Sequence, residues 1–262
     1  MKFCAHLADN FGDSPLTEYL IEKISGEKAE YSEDTDLTRY VVTGSILGMF
    51  ETRLCDVWGA GIASADQRVP REFAYIFYAV RGPRTLEAVR KAGYEGDVAI
   101  GDPGLLLPKF FEFPVDEDKK LDLTIICSWV DFDAAYRLGI SLPQTVTVLC
   151  SETLSRMMGH KGLVENYLRM LLCSKATISS TLHGLVASVA YGIPTKWVKF
   201  SDKMMGDDTK YHDFFESIGC LAVPKTENLE ECGTIDDPPF VYDIPDGMLD
   251  KLWDACPFRR DR

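Results

Sequence analysis

The feature that most constrains this chain is a rhythm: a short apolar run, a turn rich in Gly and Asp, then a stretch with helical periodicity, repeated along the sequence. Strands covered on both faces read as continuous apolar runs, and parallel neighbours need a crossover helix between them. The rhythm therefore predicts an α/β fold with a doubly wound parallel sheet. Residues 2–7 predict a first strand, followed by Asn10-Phe11-Gly12-Asp13-Ser14, then Pro15 opening a helix with Leu16, Tyr19, Leu20 and Ile24 on one face. Further strands are expected at residues 40–43, 54–58, 75–80 and 98–100, each running into a turn that carries glycine. All five turns belong on one edge of a sheet.

The stretch 109–120, with Pro114 and four acidic residues, has the composition of a linker, and the rhythm restarts at Leu123. The boundary is therefore set at 115, giving an N-terminal unit of residues 1–115, a second of 116–245, and a terminal helix and tail of 246–262. In the second unit strands are expected at 123–127, 145–150, 176–180 and 195–198, with the clearest helix at 162–172. Prolines and acids dominate 221–245, and a helix at 248–256 closes the chain.

Charge and cysteines narrow the function. A net charge of −13 without a basic stripe argues against nucleic acid as a partner. It also means that a site for a small anion must gather its own cations. The eight cysteines lie far apart, several in apolar runs such as Ile125-Ile126-Cys127, and read as small buried hydrophobes in a reducing compartment rather than zinc ligands or a disulfide framework. No metal is expected. Charge arrives by Asp9, before a signal-peptide core could form, and no apolar run approaches a membrane span, so the expected location is cytoplasmic.

Ligands of open α/β sheets bind at the carboxyl ends of strands, where helix N-termini offer unpaired N–H groups. Among those turns, Asn10-Phe11-Gly12-Asp13 combines an amide and a carboxylate, with simple helix capping by Asp13 or Ser14 an even rival. Gly59-Ala60-Gly61 is only part of a dinucleotide fingerprint, which discounts a nicotinamide cofactor. Arg81 and Arg84 flank a Gly-Pro turn directly after a strand, a place for guanidinium forks to meet carboxylate or phosphate, or else to form a surface ion pair. His183 opens a helix after Ser179-Ser180-Thr181-Leu182. A helix N-terminus disfavours imidazolium by ~0.3–1 kcal/mol. An anion ~4 Å away favours it by about 4 kcal/mol at an effective dielectric of ~20. A histidine so placed takes its proton when an anion arrives, which suits general acid catalysis on that anion. Lys210, beside Tyr211 and His212, is a further candidate cation, and Asn10, Ser45, Ser180 and Thr181 are candidate substrate contacts at the strand ends.

In order, these segments resemble the polysaccharide pyruvyl transferase family, over nearly the whole chain up to about Gly219. The motifs are Asn10-Phe11-Gly12-Asp13, Gly44-Ser45-Ile46-Leu47, Trp58-Gly59-Ala60-Gly61, Arg81-Gly82-Pro83-Arg84, Gly101-Asp102-Pro103-Gly104, Leu182-His183-Gly184 and Lys210-Tyr211-His212-Asp213. The resemblance implies two Rossmann-like domains facing a cleft, as in GT-B glycosyltransferases, with the C-terminal helix packing at the domain junction. It further implies phosphoenolpyruvate as co-substrate with no other cofactor, a sugar acceptor, and a cyclic pyruvate ketal as product in cell-surface or capsular polysaccharide biosynthesis. The family's catalytic histidine falls on His183 and its donor-binding arginine on Arg81; the chemistry then expects Arg81, Arg84 or Lys210 to meet the donor's anionic groups, and Asp13 or another loop carboxylate to take a hydroxyl proton. Many relatives carry an arginine two residues before the histidine, where this chain has Thr181. Acceptors in such pathways are commonly lipid-linked, which implies transient contact with the inner membrane face, assisted by Phe258-Arg259-Arg260-Asp261-Arg262; oligomeric state is left open. The rivals are a GT-B glycosyltransferase using a nucleotide sugar, with Glu152 or Glu165 as its ribose ligand, and a non-catalytic sugar-binding relative.

Overall fold

A computed structural model describes residues 1–7, 10–34, 36–49, 55–70, 76–158, 160–222, 225–226 and 239–260. The expected strand positions 54 and 75, Cys232, most of the acidic stretch 221–245, and Asp261 and Arg262 lie outside the described residues.

The first half holds β1 (Lys2–Phe3), α1 (Ser14–Ser25), β2 (Glu30–Tyr31), β3 (Arg39–Val41), β4 (Cys55–Trp58), β5 (Ile76–Val80), α2 (Pro83–Lys91) and β6 (Ala99–Ile100). They form one parallel sheet of six strands in the order β2-β1-β3-β4-β5-β6. A 3-10 helix at Pro103–Lys109 then buries Leu105, Leu106 and Leu107. The second half holds β7 (Leu123–Cys127), α3 (Phe132–Ser141), β8 (Val146–Cys150), α4 (Ser151–Met158), α5 (His160–Leu172), β9 (Thr177–Ser179), α6 (Leu182–Ala190), β10 (Thr195–Val198) and α7 (Thr209–Ser217). Its four strands run parallel, extended at one edge by the two-residue β11 (Lys225–Thr226), in the order β11-β10-β9-β7-β8. Last comes α8 (Met248–Asp254).

The two sheets share one winding. In each, the first strand lies between the second and the third, so the direction of winding reverses beside the first strand: between β1 and β3, and between β7 and β9. Such reversals leave a crevice at the carboxyl ends of the strands, because the crossovers on either side depart in opposite directions.

Side-chain burial explains which runs became which strands. Every residue of β7 is buried, as expected of a central strand, and the hydroxyl of its Thr124 is satisfied by Ser174. The first strand is shorter than the apolar run predicts. After Phe3 only the Cys4 N–H continues the ladder, to the Tyr40 carbonyl at 3.0 Å, and His6 and Leu7 turn outward.

One hydrophobic cluster takes residues from both sides of position 115, including Phe11, Leu16, Leu20 and Leu106 with Ile126, Tyr167 and Ala187. Burying Leu16 and Leu20 fully contributes ~1.5–3 kcal/mol each. The chain end returns to the first sheet: the Trp58 indole donates to the Leu252 carbonyl at 2.9 Å, and Phe258 packs edge-on against Tyr40 and Trp58. Meanwhile Met248 joins a cluster with Val186 and Phe214 of the second half, so α8 touches both halves. Of the tail expected to assist membrane contact, Phe258 is buried, Arg259 is bonded to Asp254 and Arg260 to the Ser25 carbonyl. Among the described residues no helix is long and apolar enough to cross a membrane.

Candidate active site

The carboxyl ends beside both reversals open onto one cleft of about 470 Å³. Its walls come from the segments after β1 (His6, Asn10 to Asp13), β3 (Ser45, Ile46, Met49), β7 (Ser128 to Val130), β8 (Ser151, Glu152, Arg156), β9 (Thr181 to His183) and β10 (Lys203 to Met205), with Lys210 of α7.

His183 stands in the first turn of α6. Thr181 starts that helix, its side-chain oxygen accepting the Gly184 N–H at 3.2 Å. The cap is worth ~1 kcal/mol. Ser179, Ile126 and Thr181 leave no room for a Cβ at position 184, which is why a glycine follows the histidine. The imidazole is 8 % exposed, and its Nε2 lies 3.5 Å from Oδ2 of Asp102, which is 1 % exposed. Asp102 itself caps the 3-10 helix, its Oδ1 accepting the Gly104 N–H at 2.9 Å. Its other oxygen and His183 Nε2 have no hydrogen bond to other described groups and face each other. The ring is pinned from the opposite half by Gly12, where a Cβ would lie 1.8 Å from Nδ1.

Asp13 is the N-cap residue of α1, yet its side chain makes no capping bond. Instead its carboxylate accepts from Asn10 Nδ2 and stands 3.3 Å from His6 Nδ1. Capping, the rival reading of this residue, is therefore not what the side chain does. The loop is held by the Asn10 side chain accepting the Gly12 N–H, and by the Thr43 hydroxyl donating to the Asp13 carbonyl. Thr17 and Thr43 join their hydroxyls at 2.7 Å in the core, locking α1 to the end of β3. The bond to Asp13 raises the His6 pKa, partly offset by burial.

The cations divide into two groups. Lys210 lines the cleft, donates to the Met205 carbonyl at 3.0 Å, and has its pKa lowered to about 8, first by burial and then by the Arg81 charge. Arg156 and Lys203 also line the cleft, and among the described residues their charged groups have no hydrogen-bond or ion-pair partner. Arg81 does not line it. Its guanidinium is 1 % exposed and fully engaged: Nε to Asp213 at 3.0 Å, and one terminal nitrogen each to Ser45 Oγ and the Ile62 carbonyl, both at 2.6 Å. Arg84 forms a fork with Glu216 of α7, at 2.6–3.0 Å. Both arginines thus join α2 and its turn to α7 and stand outside the cleft lining, where the sequence placed them as substrate ligands. Ser45 does line the cleft, with Arg81 behind it. Ser180 does not: its hydroxyl donates to Asp131 at 2.9 Å beside an adjoining cavity of about 220 Å³.

Of the residues singled out from the sequence, the structure brings Asn10, Asp13, Ser45, Thr181, His183 and Lys210 together on the lining of this cleft. Sequence reasoning missed Asp102, His6, Arg156 and Lys203. The Gly101-Asp102-Pro103-Gly104 turn after a strand was the available signal for Asp102. Of the two glutamates considered as ribose ligands, Glu152 lines the cleft and Glu165 pairs instead with Lys23 and Arg169.

Two parallel sheets whose winding reversals share a cleft, with a carboxylate-backed imidazole and lysines on its wall, define an α/β protein with a ligand-sized site at the carboxyl ends of its strands. The particular family follows from sequence comparison: the polysaccharide pyruvyl transferase family is matched over residues 23–199, and the chain belongs to it. The family is one of transferases. A mimiviral protein of Acanthamoeba polyphaga mimivirus, "Uncharacterized protein L143", is 30 % identical over 143 residues, 53 % of this chain and 47 % of its own length. The chain thus spans about half the length of that curated relative. No solved structure matches the chain.

Proposed function

We propose that the protein transfers the enolpyruvyl group of phosphoenolpyruvate to two hydroxyls of a sugar, forming a pyruvate ketal during assembly of a cell-surface polysaccharide. The observation that carries this is His183, at a helix N-terminus on the cleft wall with the buried Asp102 carboxylate at its Nε2. Ketal formation needs a proton at the donor's methylene carbon. A first sugar hydroxyl bonds to the adjacent carbon and gives up its proton, phosphate leaves, and a second hydroxyl adds as its proton passes to the departing phosphate. In this reading His183 supplies the methylene proton and Asp102 supports the imidazolium. Lys210 and Lys203 hold the donor's phosphate and carboxylate. Asp13, steadied by Asn10 and His6, takes the proton of the first hydroxyl. Arg81 acts from behind, holding Ser45.

The rival that uses a nucleotide sugar keeps only one of its two ribose-ligand candidates on the cleft, since Glu165 pairs with Lys23 and Arg169. Thermal unfolding separates the two readings, since a ligand that binds only the native state at about 100 times its dissociation constant adds ~2.7 kcal/mol. Phosphoenolpyruvate is expected to raise the melting temperature and nucleotide sugars to leave it unchanged. The reverse pattern would sink the proposal.

A further inference from the structure

The order of strands assigns the two ends of the cleft to different partners. Along the carboxyl edge of the second sheet the neighbours run β10, β9, β7, β8, about 4.8 Å apart. Lys203 and Lys210 follow β10, His183 follows β9, Trp129 follows β7 and Glu152 follows β8. Positive charge therefore stands on one side of His183, while an aromatic ring and a carboxylate stand on the other. Arg156, in the same helix α4 as Glu152, also follows β8 on that second side.

Trp129 opens the 3-10 helix Trp129–Asp131 and is 64 % exposed, although it lines the cleft. Trp58 and Trp197 are each at most 1 % exposed. A large apolar ring left wet on a ligand-sized cleft marks a contact surface. Met49 and Met205, 39 % and 55 % exposed, add apolar surface to the same cleft. Beside the ring, Ser128 donates to Glu152 Oε1 at 2.8 Å, while Ser151 and Cys150 donate to Oε2. A carboxylate has about four acceptor positions, so three donors orient Glu152 and leave capacity for one more. An apolar π-face next to an oriented acceptor fits a pyranose, whose C–H face meets the ring while a hydroxyl donates to the carboxylate. It does not fit phosphoenolpyruvate, which Glu152 repels.

We infer that Trp129 and Glu152 form the acceptor subsite: Trp129 is the stacking platform for a hexopyranose, and Glu152 orients one of its hydroxyls. The inference rests on the reading of the cleft as a phosphoenolpyruvate site and adds where the sugar lies. It is tested with the intact chain and its Trp129→Ala and Trp129→Phe variants, using the methyl glycosides of glucose, galactose, mannose and N-acetylglucosamine as probes. Saturation-transfer NMR measures sugar affinity with phosphoenolpyruvate present, and melting temperature reports donor binding in the same samples. At least one glycoside should bind the wild type, about tenfold more weakly to Trp129→Ala, and within about threefold of wild type to Trp129→Phe. The donor-induced shift should be equal in all three proteins. Equal sugar affinity in Trp129→Ala, a change of oligomeric mass in its place, or no glycoside binding while the donor binds, would each overturn the inference. A missing donor shift in the wild type would instead overturn the reading of the cleft, and a sugar response at Trp129 would survive it.

Discussion

Lys210 shows how one residue ties the site to the fold. Burial and the nearby Arg81 charge bring its pKa from 10.5 to about 8, so between those values the unfolded chain holds a proton that the folded chain has lost. Stability then rises with pH across that window, because the unfolded state binds more protons there. Affinity for an anion in the cleft should move the opposite way, falling by up to about tenfold per unit above pH 8 as the cation is lost. Both trends should vanish in Lys210→Met, so the check is the difference between wild type and variant in urea midpoint and in phosphoenolpyruvate affinity from pH 7 to 10. The residue scale is also where sequence reading reached its limit. Arg81 was visible as a cation at a strand end, but its partner Asp213 lies 132 residues away, and no local signal announces that pairing. The same distance problem hid Asp102 from His183, although each residue stood in a turn that drew notice.

At the scale of elements, the strand–turn–helix rhythm was legible because burial on both faces forces continuous apolar runs, as β7 illustrates. Ends were less legible. β1 stops after Phe3 because the following residues leave the sheet for the cleft, and the two-residue β2 carries too little pattern to read. What the elements do for the site is set by close approach, and Gly12 is the sharpest case. A methyl group there would overlap the His183 ring, at 1.8 Å from Nδ1. Gly12→Ala should cost stability only ~1–3 kcal/mol, as overpacking does. Turnover should fall by about 10²-fold, since a displacement of ~1 Å suffices for that. Unfolding midpoint and initial rate measured on one preparation check both halves of the expectation.

The molecule as a whole is held across its halves by α7. Arg81 and Asp213 form a buried pair, Thr85 donates to Asp213 through both its N–H and its hydroxyl, and Arg84 grips Glu216 nearby. Removing one partner of a buried pair strands the other charge and costs ~3–5 kcal/mol. Arg81→Ala should therefore lower the urea midpoint sharply. A variant of wild-type stability that has lost phosphoenolpyruvate affinity would return Arg81 to the ligand role its position in the sequence suggested. The parallel α/β sheets were legible from the repeated rhythm, whereas the shared core and the return of α8 to Trp58 were not, because they depend on which faces meet after folding.

The central claim is that His183, backed by Asp102, donates the proton that commits phosphoenolpyruvate to transfer. Release of inorganic phosphate from phosphoenolpyruvate in the presence of a sugar acceptor measures it directly. With wild type active, His183→Ala and Asp102→Asn should retain the fold and lose ~10²–10⁴-fold in rate, the usual span for a general acid. Full turnover in His183→Ala would contradict the account.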